Sequence, residues 1–359
     1  MAGAALRSQC DFEYITEGVD PVQILLPDVQ QLRSYGRFLA ARSRCQMLVG
    51  DYAAAVGTLR DGMALARHTA EGPFIVHDLV GVAIARMIFA RAQELVAPPF
   101  APNLYWAFSA FPEPTIDIRS ALEFESTILA MRFPELDQLD RLRSPEQWQL
   151  LRSEIATWAN DLRKWNAGSD SGGGQANDPA SDTERIAAAR EDLTDRYGYS
   201  EDQVQNMSDA EVAVRHTVHL SREVSDEIYA ISCVPFWETG PLFEHLENSV
   251  EPRFRDREGY PAVYQALMIS AKAILQAPAT LEEQRRALTV VEALRMHAAA
   301  TGELPQALSD VQVVPVPNSY YTNEPFHYEL SDGVATLTSD APEGVAQAVA
   351  IEGGIRLRE

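Results

Sequence analysis

The sequence lacks most of the patterns that identify an activity. Its three cysteines, Cys10, Cys45 and Cys233, are widely spaced and form no CxxC pair, which argues against a disulfide framework and against a thiolate zinc site. No apolar run approaches the roughly 18 residues of a membrane-spanning helix. The Gly-x-Ser-x-Gly, phosphate-loop, His-Glu-x-x-His and dinucleotide-binding motifs are also missing. These absences argue against an enzyme, and we expect no cofactor.

Positive charge is scarce as well. The chain has 30 Lys and Arg residues against 52 Asp and Glu residues, and its net charge is -22. Such a charge repels phosphate backbones and anionic lipid surfaces. We therefore expect no nucleic-acid partner and no membrane insertion, and a protein or peptide partner that is basic or neutral. The first residues do not form a signal peptide, which predicts a cytoplasmic protein, or a cell-envelope or periplasmic one if an export segment is missing from this sequence.

Apolar residues recur at spacings of three and four from residue 27 to about residue 70, with a break at Gly50-Asp51. This spacing predicts a helical hairpin. The stretch "GDYAAAVGTLRDGMALARH" resembles the second half of a tetratricopeptide repeat, in which Ala55 and Gly62 are the small residues that let two helices approach closely. A second copy does not follow at the repeat period of about 34 residues. The sequence therefore predicts an irregular array of helical hairpins.

Further along the chain, a mostly apolar helix is expected after Gly72-Pro73 and should be central. Capping-box pairs predict four more helix starts. Residues 166–181 are rich in Gly, Ser and Asp, which predicts a disordered linker that either divides two helical halves or forms a long loop in one body. The predicted units are an N-terminal helical array (1–165), this linker, a second helical part (182–301) and a small α+β module (302–359) with an antiparallel sheet. The capping pairs are Ser144 with Gln147, Ser181 with Glu184, Ser208 with Glu211, and Thr280 with Glu283.

Two resemblances to known families follow from longer stretches. "ARHTAEGPFIVHDLVGVAIARM" and "PNLYWAFSAFPEPTIDIRSALEFE" resemble an uncharacterised family of helical proteins from planctomycete bacteria that are usually predicted to be exported. "RRALTVVEALRMHAAATGELPQALSDV" with "PVPNSYYTNEPFHYELSDG" resembles the final helix, Gly-x-x-Pro turn and small sheet of type II secretion pseudopilins. This chain has Asn318-Ser319 where pseudopilins tend to have Asp-Pro, which weakens a calcium loop. The second resemblance implies a cell-envelope structural component related to secretion as one alternative function.

Three polar residues of a later helix form a candidate metal site. "RHTVHLSRE" places His216, His219 and Glu223 at spacings of three and four, on one face and roughly opposite an apolar stripe. Two imidazoles and a carboxylate could bind zinc or manganese, but a closed site needs a fourth ligand, which the sequence does not supply. The alternatives are a metal-dependent hydrolase centred on these residues and an exposed polar face, and we favour the exposed face.

Another polar group flanks the turn at Gly72-Pro73. His77 and Asp78 are adjacent, so on a helix they point about 100° apart and cannot act as a base with its orienting carboxylate. For these two residues and for His68 we expect helix capping and hydrogen bonds between helices.

The stretch beginning at Ala97 combines prolines with aromatic residues. The prolines fix φ and remove backbone donors, so this connection must be extended or kinked. Its aromatic residues either pack beneath the array or line a groove, and we favour packing. In the groove alternative, the binding residues are Asn103, Tyr105, Trp106, Asp117, Arg119 and Glu123, with Glu125 also in reach. The function that we expect is a non-catalytic scaffold or binding protein that holds its partner along a groove of the helical array.

Overall fold

The computed structural model describes Arg7, Tyr14 and the ranges 10–12, 27–98, 100–141, 143–167, 179–254, 261–341 and 351–352. The protein is mainly helical and has a small antiparallel sheet towards its C-terminal end, which confirms the predicted fold class. Among the described helices, none is both long and apolar enough to cross a membrane.

The first three helices pack against one another. They are α1 (Pro27–Leu48), α2 (Tyr52–Thr69) and α3 (Ile75–Val96), so the predicted hairpin and the helix after it are confirmed. Asp51 caps α2 by accepting a hydrogen bond from the Ala54 N–H. A Cβ at Gly62 would collide with Cδ1 of Ile88 on α3. Glycine at this position therefore allows α2 and α3 to approach closely, as the sequence predicts.

Short helices connect this group to the middle of the chain. They are α4 (Tyr105–Ser109), α5 (Arg119–Ser126) and α6 (Ile128–Arg132), and a 3-10 turn at Pro134–Gln138 follows. The long α7 (Pro145–Ala167) begins at the predicted Ser144–Gln147 capping box, in which both hydrogen bonds form. Because α7 reaches Ala167 and α8 (Pro179–Asp195) begins at Pro179, both ends of the predicted linker are helical. Its remaining residues, 168–178, lie outside the described residues.

The second half of the chain contains α9 (Glu201–Asn206), α10 (Asp209–Ser232), α11 (Thr239–Phe254) and α12 (Pro261–Thr301). Ser208 caps α10 as predicted. The predicted helix start at Thr280 is wrong, because Thr280 lies inside α12 and its hydroxyl donates to the Gln276 carbonyl one turn earlier. Pro278 also lies within this helix. Helix α12 is therefore longer than local sequence signals indicate, and it packs against α3, α4, α7 and α10.

The main hydrophobic core contains residues from both sides of the predicted linker. It includes Leu39 of α1, Ile84 of α3, Val224 of α10, Leu288 of α12 and Leu337 of the sheet. Smaller clusters lie between α7 and α10 and between α8 and α10. One hydrophobic core therefore joins the helices before and after the linker.

The C-terminal module begins at Gly302, directly after α12, where φ is 87°. Strands β1 (His327–Ser331) and β2 (Val334–Thr338) form an antiparallel hairpin. Its two turn residues, Asp332 and Gly333, have φ values of 52° and 74°, as a type I′ turn requires. Strand β3 (Ile351–Glu352) pairs with the other side of β2. The predicted antiparallel sheet is thus confirmed.

Candidate functional site

Helix α12 carries a row of charged side chains that are almost completely buried. They are Glu282, Glu283, Arg285 and Glu292. A buried charge without partners is costly, so each of these groups needs hydrogen bonds. Their partners lie mostly in two segments, residues 101–115, which include the short helix α4, and residues 318–321. The charges of α12 therefore fix the path of two segments that have little regular structure.

Glu292 holds the beginning of the proline-rich stretch. Its Oε1 accepts a hydrogen bond from the Leu104 N–H at 3.0 Å, and its Oε2 accepts one from Nη1 of Arg295 at 2.7 Å. The second Arg295 nitrogen, Nη2, donates to the Ala101 carbonyl at 2.8 Å. Asn103 donates from Nδ2 to the Glu292 carbonyl at 2.9 Å. The Asn103 side chain, predicted as a binding group, therefore ties this stretch to α12.

The aromatic residues of this stretch have different environments. Tyr105 and Phe108 are both 4% exposed, and the Tyr105 hydroxyl donates to the Pro315 carbonyl at 2.7 Å. Phe108 meets Phe89 of α3 edge to face, with ring centroids 6.0 Å apart. Trp106 is 67% exposed, because neighbouring residues of a helix point in different directions. The favoured packing role is confirmed for Tyr105 and Phe108, and it is wrong for Trp106.

The end of the proline-rich stretch is held by a second group of charges on α12. Glu282 accepts hydrogen bonds from the Thr115 N–H and, at 2.7 Å, from Nε of Arg285. Arg285 also donates to the Phe108 carbonyl at 3.2 Å and to the Glu113 carboxylate at 2.9 Å. The Glu113 carboxylate is paired with Arg286 as well. These contacts place the residues that follow Thr115 beside α12.

A pocket of about 300 Å³ lies next to this second group. The start of α5, the turn after α10 and the part of α12 around Pro278 form its walls. The floor is apolar and consists of Ile116, Ile118, Ile231, Leu275 and Ala279, all of which are buried. The rim is polar and aromatic, and it includes Glu113, Asp117, Arg119, Cys233, Trp237 and Tyr320.

Arg119 and Asp117 form an ion pair at the mouth of this pocket. Nε of Arg119 lies 2.8 Å from Oδ1 of Asp117, and Nη2 lies 2.5 Å from Oδ2. The hydrogen bonds from Arg119 lower the pKa of Asp117, and the same pair raises the pKa of Arg119. Cys233, on the turn after α10, lines the same pocket. Arg119 and Cys233 therefore bring α5 and the turn after α10 to one pocket mouth.

The aromatic part of the rim comes from residues that we did not single out in the sequence. Phe236 stacks on Tyr320 with ring centroids 6.2 Å apart, and Trp237 meets Tyr320 edge to face at 6.3 Å. Arg286 lies over the Tyr320 ring, 4.9 Å from its centroid. Burial, together with nearby carboxylates, raises the pKa of Tyr320 to about 12. In the sequence, the adjacent aromatic residues Phe236 and Trp237, directly after Pro235, could have indicated this aromatic wall.

The structure does not place all the predicted binding residues in one groove. Asp117 and Arg119 lie at the pocket, and they follow Thr115, whose N–H is hydrogen-bonded to Glu282 of α12. Asn103 instead contacts Glu292, ten residues further along α12, which corresponds to about 15 Å along the helix axis. The predicted groove residues therefore lie in three separate places. Asn103 and Tyr105 belong to the segment that is hydrogen-bonded to its neighbours, Trp106 is exposed, and Asp117 and Arg119 lie at the pocket mouth. Glu123 is exposed on α5.

Two carboxyl groups lie between α3 and α5, and we call Asp78 and Glu125 the acid pair. Glu125 accepts a hydrogen bond from the Ile75 N–H at 2.8 Å, and burial raises its pKa to about 7. Asp78 is 1% exposed, and neither of its oxygens has a hydrogen-bond partner in the described part of the chain. Burial, together with the negative charges of Asp117 and Glu125, raises the pKa of Asp78 to about 8. The expected capping role of Asp78 is therefore wrong.

The histidines near this turn form hydrogen bonds other than the helix caps and the bonds between helices that we expected. Nε2 of His77 lies 3.0 Å from the Tyr14 hydroxyl, and its Nδ1 lies 3.3 Å from the Phe74 carbonyl oxygen. Burial lowers the pKa of His77. Nδ1 of His68 lies 3.1 Å from the Glu71 carboxylate. His77 and Asp78 thus have separate environments although they are adjacent in sequence.

The three candidate metal ligands on α10 point to different partners. His216 is only 7% exposed, so the favoured exposed polar face is wrong: α8 and the turn after it cover these residues. Burial and nearby arginines lower the pKa of His219. Within the described ranges, no group of three or more His, Cys, Asp or Glu side chains could hold a metal ion. The observed partners are Asp192 for His216 (2.8 Å), Tyr199 for His219 (3.0 Å), and Arg196 (2.6 Å) and Tyr197 for Glu223.

Comparison of the chain with protein-family models, curated proteins and solved structures found no match.

Proposed function

We propose that this protein is a non-catalytic binding protein, and that its pocket beside α5 receives an apolar side chain of a peptide or protein partner. The observation that carries the proposal is a pocket with a buried apolar floor and a polar, aromatic rim. Its volume of about 300 Å³ is at the lower end of the range of ligand sites. That volume suits one or two side chains better than a large cofactor.

The charges at the rim support binding more than catalysis. Asp117 is held by Arg119, and Glu113 is held by Arg285 and Arg286. Because the pair with Arg119 lowers the pKa of Asp117, this carboxylate keeps its charge at neutral pH. General acid-base catalysis instead needs a group whose pKa lies near the working pH. The rim charges are suited to orienting a partner, and the net charge of -22 favours a basic one.

The aromatic rim suits a peptide. Trp237 and Tyr320 have apolar rings with polar groups at their edges, and such residues are common at protein interfaces. Arg119 has a further nitrogen, Nη1, beyond the two that contact Asp117, and a backbone carbonyl of a bound peptide would be a fitting acceptor.

A random-peptide display library, panned on the wild-type protein, tests this proposal. Enriched peptides should share an apolar residue and should lose binding to Ala279→Phe, which fills the pocket floor. Ala299→Phe is the matched control, because Ala299 is exposed on the same helix and should leave binding unchanged. A library that yields no binder, or binders that tolerate Ala279→Phe as well as the control, would refute the proposal.

The same peptides provide a test of the rim. Arg119→Ala should weaken their binding on the order of tenfold, because it removes a charged hydrogen-bond donor at the mouth. Arg60→Ala is its control, since Arg60 forms a similar pair with Asp61 on the exposed side of α2. Equal affinity of these two variants would show that Arg119 has no part in binding.

A further inference from the structure

We propose that the acid pair is a pH-sensitive switch that acts through α5 on the pocket: when Asp78 and Glu125 ionise, α5 shifts away from α3 and the pocket mouth at Arg119 loosens. The consequence for ligand binding rests on the proposed function, but the movement of the mouth does not.

The first support is the environment of Asp78. Its carboxyl group is almost completely buried, and both oxygens lack a hydrogen-bond partner in the described structure. A neutral carboxylic acid tolerates such a place far better than a carboxylate, since an unpaired buried charge is costly. Ionisation of Asp78 therefore favours any rearrangement that admits water between α3 and α5.

The second support is the position of α5 between the acid pair and the pocket. This helix has 8 residues, so it is about 12 Å long. Its first residue, Arg119, lies at the pocket mouth, and Glu125 near its other end is hydrogen-bonded to the backbone of α3. Asp117, two residues before the start of α5, both lines the pocket and acts electrostatically on Asp78. A displacement of α5 at the acid pair must therefore also change the mouth.

The described surroundings of the acid pair do not supply a free cation to balance its charge. On α3, His77 is buried and burial lowers its pKa, so it is neutral when the pair ionises. Arg119 is the cation of α5, and it is paired with Asp117. Among the other neighbouring elements, α1 contributes Asp28, and Tyr14 contacts His77. The end of α2 and the turn after it contribute the pair His68 and Glu71. Helix α10 contributes the apolar residues Val224, Ile228 and Ile231.

Fluorine NMR of the full chain labelled with 5-fluorotryptophan tests the switch without any ligand. Trp237 on the pocket rim reports on the mouth, and its resonance is assigned with Trp237→Phe. Trp148, which is buried in the cluster between α7 and α10, is the internal control. The spectra are recorded from pH 5 to pH 9.5 (on the order of ten points, to span both pKa values) for the wild type and for the double variant Asp78→Asn, Glu125→Gln.

The expected result is a Trp237 resonance that titrates at neutral to mildly alkaline pH in the wild type and is constant in the double variant. The Trp148 resonance should be constant in both. A Trp237 resonance that does not titrate overturns the proposal. A titration that persists in the double variant also overturns the proposal. Asp78→Asn alone, which removes only the unpartnered carboxyl group, should reduce the titration even if the double variant does not fold.

Peptide affinity provides the link to binding. A peptide selected by display should bind the wild type on the order of tenfold more weakly at alkaline than at mildly acidic pH, and the double variant equally at both. If no peptide binds at any pH, the proposed function fails, and the fluorine titration still decides whether the acid pair moves the mouth. If peptides bind with the same affinity at all pH values while Ala279→Phe abolishes binding, the proposed function holds and the switch is refuted.

Discussion

Asparagine in place of Asp78 should flatten the dependence of protein stability on pH. The pKa of Asp78 rises from 3.8 to about 8 on folding, mainly because the group is buried. Between these pH values the folded chain holds one proton more than the unfolded chain. The contribution of this group to stability is therefore complete below its unfolded pKa and is lost as the pH rises through about 8.

The magnitude follows from the linkage between proton binding and unfolding. One proton corresponds to a loss of about 1.4 kcal/mol for each pH unit, so from pH 5 to pH 8 this group alone removes at most about 4 kcal/mol. Structural relaxation and the neighbouring Glu125 reduce this value, and we expect about 2 to 4 kcal/mol. Asparagine does not titrate, so the variant should lose correspondingly less stability over this range. The buried amide has a cost of its own, but that cost is the same at every pH.

Urea unfolding followed by circular dichroism, at pH 5 and pH 8, measures this difference. The wild type and the variant are compared by the change in their unfolding free energy between the two pH values. In the variant this change still contains the contribution of Glu125. Asp226→Asn is the control, because Asp226 is exposed on α10 and should leave the pH dependence unchanged. If Asp78→Asn has the same pH dependence as the wild type, the reasoning about its burial is refuted.

Two further predictions concern the proline-rich stretch. Trp106→Ala should change the unfolding free energy by less than about 0.5 kcal/mol because the ring is exposed, whereas Phe108→Ala should cost about 3 to 5 kcal/mol in the same urea experiment. A large cost at Trp106 would contradict its exposed position. Glu292→Ala should cost about 3 to 5 kcal/mol, since it leaves the Leu104 N–H and the charge of Arg295 without their partner. A cost below about 1 kcal/mol would show that these contacts do not hold the segment.

Much of the fold follows from local patterns in the sequence. The spacing of apolar residues predicts α1 to α3, and alternating residues around Asp332-Gly333 predict the hairpin of β1 and β2, because these features depend on near neighbours. The capping pattern at Thr280 fails for a physical reason. Glu283 does not cap a helix there, and its carboxylate accepts hydrogen bonds from Ser319 and the backbone of the same loop. A local pattern cannot reveal that competing partner.

The candidate site depends on contacts that local patterns do not contain. Asn103 and Glu292 are 189 positions apart, yet they are directly hydrogen-bonded. Sequence reasoning named Asp117 and Arg119 as candidate binding groups, but it assigned them to one groove with Trp106. In the sequence, the pairs Glu282 with Arg285 and Glu292 with Arg295 could have indicated buried charges that hold another segment, because each pair is three residues apart on one helix face.

The prolines and the buried charges of α12 perform complementary tasks. Prolines remove backbone donors from the stretch that begins at Ala97, and two of the remaining donors, the N–H groups of Leu104 and Thr115, are satisfied by carboxylates of α12. This arrangement fixes one side of the pocket to the longest helix of the protein. The other side of the mouth is formed by α5, a short helix that contains Glu125 of the acid pair and is hydrogen-bonded through it to α3. A change of shape in the pocket should therefore originate at α5, because α12 and the segment that it holds resist displacement.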